Sequence, residues 1–339
     1  QNSLAAIDTV TWIPYWGRDR IYGMIENRPD WCVSRQRAWG VPITVFYCED
    51  CEAILLDQKV MEAVYSQFEQ HGADIWFEKD VSDFLGDDVT CSSCGAKSFV
   101  KENDILDVWF DSGVSHAAVL EPRADLRWPA DLYLEGSDQH RGWFHSSLLT
   151  SVETRNQAPY RSVLTHGFVV DGKGEKMAKS KGNVIAPEAV IKRYGVEILR
   201  LWVASEDYRE DIRISEEILK RLSESYRKIR NTCRFLLGNL HDFQPDQQEN
   251  YNSLAEIDRW ALHRLCLLSS KVRTAYESYE FHTIYHLLHN FCVTDMSALY
   301  LDILKDKLYC STPQDKSRKA SQTAFYHILS ALVKLMAPI

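Results

Sequence analysis

The chain has 339 residues, 45% of them apolar and 26% charged, with a formal net charge of −9. That length accommodates about two or three domains with real cores, and no apolar run approaches the ~18 residues of a membrane span. Nine cysteines, four of them in two C-x-x-C pairs, suit metal binding in a reducing cytosol better than a disulfide scaffold, and the acidic balance excludes a surface coated throughout for nucleic acid.

The first thirty residues hold Thr11-Trp12-Ile13-Pro14 and Gly17-Arg18 without a long hydrophobic period. They read as a linker, 1–30, with a short helix over 18–27 that Arg28-Pro29-Asp30 ends. The apolar run 43–47 reads as a strand entering the first cysteine pair. From 48 to 94 the pattern is that of a small inserted module, with little core of its own and one amphipathic helix over 57–71, where Val60, Val64 and Phe68 recur at fourfold spacing. Runs 105–110 and 131–135 read as core strands, and 139–154 and 187–194 as helices, the second opening on Pro187.

Beyond about residue 205 the pattern becomes long and helical. Leu254, Ile257, Ala261, Leu265, Leu268, Val272, Ala275, Tyr276 and Tyr279 form the stripe of a bundle helix. A polar loop is expected over 238–253, with two more helices over 281–308 and 313–336. Between 218 and 240, Lys220, Arg221, Arg227, Lys228, Arg230 and Arg234 meet only Glu224, which makes either a basic strip for a polyanion or an ordinary solvated face.

Two segments carry chemistry. Gly174-Glu175-Lys176-Met177-Ala178-Lys179-Ser180-Lys181-Gly182-Asn183 sets lysines among glycines, a composition that grips phosphate oxygens and neutralises charge growing during phosphoryl transfer. Upstream, Glu135-Gly136-Ser137-Asp138-Gln139-His140-Arg141-Gly142-Trp143 follows a strand and opens a helix, the turn at which open α/β sheets bind ligands. Both point to nucleotide chemistry.

The segment 176–180 resembles the lysine loop of class I aminoacyl-tRNA synthetases, with Ala178 in place of a serine. The run 135–143, Asp107-Val108-Trp109-Phe110-Asp111-Ser112-Gly113 and Trp31-Cys32-Val33-Ser34-Arg35-Gln36-Arg37-Ala38-Trp39-Gly40 resemble the isoleucyl branch of that family. The resemblance implies an α/β Rossmann-like catalytic half (31–47 and 95–204, with the lysine loop 174–183), a zinc-knuckle insertion (48–94) and an all-α bundle of anticodon-binding type (205–339). No His-x-Gly-His string occurs in these residues, nor anything like an editing domain, so the chain is expected to be an internal fragment, inactive alone, of a longer ligase.

By the same resemblance, Lys176 and Lys179 are the expected catalytic cations, drawn to one ligand by their spacing of three if the loop closes as a helical turn. ATP, with Mg2+, would meet Gly136, Asp138, Gln139, Lys176, Met177, Lys179 and Ser180. Isoleucine and its adenylate would meet Glu135, Gln139, Trp109 and Trp143, the tryptophans walling the aliphatic side chain and His140 and Arg141 supporting the helix. The expected partner is tRNA(Ile), in the cytoplasm, with no membrane and no obligate protein partner. A valine, leucine or methionine enzyme of the class, or a non-catalytic tRNA-binding paralogue, are the alternatives. From the residues themselves, Cys48, Cys51, Cys91 and Cys94 offer four soft thiolates for a structural Zn2+, while Cys32, Cys233, Cys266, Cys292 and Cys310 are expected in cores.

Overall fold

A computed structural model describes residues 1–339, the side chain of Gln247 excepted. The chain divides into two compact units, Gln1–Thr165 and His166–Ile339.

In the first unit a three-stranded sheet runs Thr11–Ile13, Ser162–His166, Tyr133–Gly136 in spatial order. The first pair is parallel, with Thr11 opposite Ser162 and Ile13 opposite Leu164. Parallel neighbours need long crossovers, and the helices Trp16–Glu26 and Trp143–Arg155 lie on that path. Ile7, Ile21, Phe144, Leu148, Tyr160 and Val163 close the core. Residues 1–30 are therefore not a linker: they supply two helices and an outer strand, and the short strand escapes a period-based reading because it is only three residues long.

The strand expected over 105–110 stops at Leu106, paired with Ser34–Arg35. Asp107 ends it, because its carboxylate accepts the Trp109 N–H at 2.8 Å and caps the helix Val108–Gly113. The helix expected from 139 starts instead as a tight turn, Ser137–Arg141, broken at Gly142 before Trp143–Arg155. The cysteine-rich insertion is built on an antiparallel pair, Phe46–Cys48 with Phe99–Lys101. Asp57 caps its helix Gln58–His71, accepting from the N–H groups of Lys59 and Val60, and Gly72 leaves it at φ 85°. The module has a core after all: Trp76 lies 5.0 Å from Phe46 and 5.3 Å from Phe84 between ring centroids.

In the second unit Val169–Val170 pairs in parallel with Ile212–Arg213. Helices Pro187–Tyr194 and Val196–Ser205 bury Val190, Ile198 and Trp202 against Leu219 and Leu222 of the long helix Glu216–Gly238. That shared core is why the unit begins at His166, some forty residues before the change of pattern in the sequence. Glu256–Glu277 and Lys316–Met336 complete the bundle with Phe281–Asn290, which continues as a wide π-helical stretch, Phe291–Tyr300, before shorter pieces to Cys310. A single helix over 281–308 is thus not formed; the wider turns keep Cys292, Met296 and Tyr300, all fully buried, toward the core. Among the described residues no helix is long and apolar enough to cross a membrane.

Candidate functional site

The strand tip of the first unit is organised around Gly142. A β-carbon there would lie 2.5 Å from Gln139 Oε1 and 2.9 Å from the Trp109 ring, so only glycine lets the turn and the indole meet. Gln139 Oε1 accepts the Trp143 N–H at 2.9 Å, satisfying an orphan amide of the helix start, while its Nε2 donates to Asp138 at 3.2 Å. Trp143 stacks on Tyr133, centroids 3.9 Å apart and planes at 7°, and its indole N–H reaches Ser112 O and Ser115 Oγ, both at 3.0 Å. Trp109 remains 42% exposed. Glu135 and Asp138 are exposed and Gly136 is buried behind them.

His140 is fully buried among Trp12, Trp16 and Phe144, with Nδ1 3.1 Å from Ser137 O. Since a carbonyl only accepts, Nδ1 carries the proton, and burial holds the ring neutral, its pKa lowered to about 4. His140 therefore fixes the turn from beneath. Arg141 points to solvent.

The lysine segment in the second unit is a hydrogen-bonded hairpin. Asp171 Oδ1 accepts from the N–H groups of Lys173 and Glu175 at 2.9 Å, and Oδ2 from Asn183 Nδ2 at 2.9 Å. Asn183 Oδ1 in turn accepts the Ala178 N–H at 2.9 Å. Asn183 and these amides hold the Asp171 carboxyl below its usual range. Lys176 lies in an extended bridge to Val170, whereas the helical turn spans Lys179–Lys181, so the two expected cations do not share one turn. Lys181 pairs with Glu175 at 3.1 Å, while among the described residues Lys176 and Lys179 have no acidic partner. Met177 packs partly buried against Val190 and Trp202, anchoring the hairpin, and Ser180 is exposed. Asp171 was not singled out from the sequence; its signal was the Asp-x-x-Gly turn ahead of the lysines.

Cys48, Cys51, Cys91 and Cys94 converge with all sulfurs within 4.8 Å of one another. Cys48 is 3.5 Å from Cys94 and Cys51 is 3.6 Å from Cys91, close to the ~3.8 Å edge of a tetrahedron with ~2.3 Å metal–sulfur bonds. Both knuckles have one design: Cys48 and Cys91 N–H donate to the carbonyls of Ala53 and Ala96 at 2.9 and 2.7 Å. Glu52 and Gly95 take φ 56° and 77° at equivalent positions. Amides of Cys94 and Ser93 help push the Cys91 thiol down to about 6, which favours the thiolate a metal needs. The four thiols could hold a zinc ion. Of the other five cysteines, only Cys292 is buried; Cys32, Cys266 and Cys310 are exposed, against expectation, because single thiols in mixed sequence carry no periodic signal.

A family model described as tRNA synthetases class I (I, L, M and V) matches residues 1–215. The chain belongs to this class I synthetase family. A second model, the anticodon-binding domain of tRNA ligase, matches residues 258–339. Similar to this synthetase chain are the isoleucine–tRNA ligases of Syntrophotalea carbinolica and Geobacter sulfurreducens, each 62% identical over 100% of this chain and 37% of their own length. The chain thus spans about 37% of the length of these curated relatives. Among solved structures, methionyl-tRNA synthetase of Mycobacterium tuberculosis bound by methionyl-adenylate matches 99% of this chain and 58% of its own, with TM-score 0.66 and 17% identity. The LeuRS of Agrobacterium radiobacter K84, in a ternary complex with tRNA and LeuAMS, matches 91% of this chain and 39% of its own, with TM-score 0.60 and 20% identity. At those identities the likeness is one of fold.

Proposed function

We propose that the full-length protein activates isoleucine with ATP and Mg2+ and transfers it to tRNA(Ile), working in the cytoplasm. The observation that carries the reading is the braced hairpin that leaves the ammonium groups of Lys176 and Lys179 without an acidic partner. Identities of 58–62% to isoleucine–tRNA ligases over the whole chain support the choice of amino acid.

In this reading the isoleucine carboxylate attacks the α-phosphate of ATP, pyrophosphate leaves, and the acyl group then passes to a ribose hydroxyl of the tRNA end. No covalent enzyme intermediate is needed, so the protein positions and neutralises. Lys176 and Lys179 neutralise the triphosphate, and Met177 and Ser180 hold the hairpin at it. Gly136 admits the adenosine, Asp138 and Gln139 bond ribose or amino-acid groups, and Glu135 accepts from the substrate ammonium. Trp109 and Trp143 wall the side chain, each buried methylene contributing about 0.8 kcal/mol. Cys48, Cys51, Cys91 and Cys94 hold structural zinc, and the exposed basic residues of the helix Glu216–Gly238 meet the tRNA backbone.

The test is amino-acid-dependent pyrophosphate exchange by the full-length protein. Isoleucine is expected to support it far better than leucine or methionine and better than valine; equal or greater exchange with another of these amino acids overturns the assignment.

A further inference from the structure

Beside the strand-tip turn, a cavity of about 440 Å3 is lined by Arg28, Trp31, Arg35, Arg141 and His145, together with Asp30 at its rim. It adjoins a smaller one of about 80 Å3 that Arg28, Trp31, Arg141 and His145 share with Trp109 and Gly142. The charges here are unbalanced. Arg35 is matched by Asp107, but among the described residues neither Arg28 nor Arg141 has an acidic partner within salt-bridge reach.

Arg28 is instead held by a neutral group. Its Nη1 lies 2.9 Å from His145 Nε2 and 3.2 Å from Nδ1, and its guanidinium sits 5.1 Å above the Trp31 ring. His145 is 4% exposed, and burial, followed by the charges of Arg28 and Arg141, lowers its pKa to about 4, so it cannot add a proton of its own near neutrality. A half-buried guanidinium bonded only to an uncharged imidazole leaves its charge uncompensated, a costly arrangement unless an anion completes it. With a second free guanidinium and an indole face beside it, the cavity offers what an aromatic oxyanion needs: planar donors for phosphate and a surface for a base.

We propose that Arg28 and Arg141 bind a phosphodiester of a single-stranded RNA end whose base stacks on Trp31. The proposal rests on the reading of the protein as a tRNA ligase for its biological source of RNA, but it is tested by binding alone. The shared chemistry with free pyrophosphate is the phosphate group, and two arms separate them.

The 339-residue chain is titrated with the trinucleotide CpCpA and, separately, with inorganic pyrophosphate, following tryptophan fluorescence at two salt concentrations. The trinucleotide is expected to bind at least tenfold more tightly than pyrophosphate, to weaken at higher salt, and to lose about tenfold in Arg141→Gln. Trp31→Leu is expected to weaken the trinucleotide severalfold while leaving pyrophosphate unchanged. Arg141 is exposed, so its variant keeps the fold and a far-ultraviolet spectrum checks this; Arg28→Gln is the second variant, with the same expected loss. Pyrophosphate binding as tight as RNA, or trinucleotide binding untouched in both arginine variants, overturns the proposal. Isoleucine-dependent exchange is a separate assay, so either claim can fail while the other stands.

Discussion

At the residue scale, the lysine hairpin separates its cations by their partners. Lys181 is spent on Glu175, whereas Lys179 is not. In the full-length protein Lys179→Ala is expected to lower the rate of pyrophosphate exchange by roughly 10²-fold or more, and Lys181→Ala by only a few-fold; equal losses would remove the distinction drawn from the ion pair. The buried imidazoles of His140 and His145 make a second expectation. An unfolded histidine takes up its proton near 6.5, while these two refuse it until about 4. Unfolding therefore binds protons in that window, so the first unit is stable above it and loses stability as pH falls through it. Thermal midpoints measured between pH 7 and 4 should fall steeply, and His140→Phe, which keeps a ring in the same site, should flatten the slope by about one proton. A slope unchanged by that substitution would show His140 to be protonated already. The sequence marked His140 as a support rather than a reactant, but not its tautomer or its neutrality, because both depend on the carbonyl of Ser137 and on packing from Trp12 and Trp16, distant in the chain.

At the scale of elements, the two knuckles are the same small hairpin used twice, with Glu52 standing where its counterpart has Gly95. A left-handed backbone costs a residue with a β-carbon about 1 kcal/mol, so Glu52→Gly is expected to raise the stability of the module by up to that amount, read from its urea midpoint. Metal analysis of the purified chain should find about one zinc per molecule; chelation should lower the stability of the module without dissolving the Phe46, Trp76, Phe84 cluster, whose near-ultraviolet signal would persist. In the bundle, Asp242 bonds the nearly buried Arg318 at 2.6 Å, which holds its carboxyl down to about 2. That contribution is complete above about pH 4 and fades as pH falls toward 2. Asp242→Asn should cost ~2 kcal/mol at neutral pH, mostly by stranding the Arg318 charge, and a loss below ~0.5 kcal/mol would mean that Gln322 and solvent suffice.

Elements were legible from sequence where a local signal was complete. The helix Gln58–His71 carries its own cap at Asp57 and stop at Gly72, and Pro187–Tyr194 its opening proline. They were misread where a polar side chain redirects the backbone, as Asp107 does after Leu106, or where an element is too short for a period, as at Thr11–Ile13. The π-helical stretch Phe291–Tyr300 shares its apolar content with an ordinary helix, and only packing selects the wider turn.

For the whole molecule, charge is unevenly placed. Residues 46–102 hold thirteen acidic and four basic side chains, an excess of nine that equals the excess of the entire chain. Everything outside the cysteine module is neutral in sum, so the overall acidity does not oppose a polyanion at the exposed basic residues of Glu216–Gly238. With the full-length protein, replacing Arg227, Lys228, Arg230 and Arg234 by glutamine should weaken tRNA binding and reduce the slope of log affinity against log salt by about three; an unaltered slope would make that helix an ordinary wet surface. Each unit also has its own hydrophobic core, so calorimetry of the chain is expected to need more than one transition.

The crowding at Gly142 reaches beyond the turn itself. Because the Trp109 ring occupies the space a β-carbon would take, these positions, thirty-three apart in the chain, are not free to vary separately. Gly142→Ala alone should damage the protein, and shrinking the indole to leucine should return part of what was lost. Lineages that depart from glycine at one position would then carry a smaller side chain at the other.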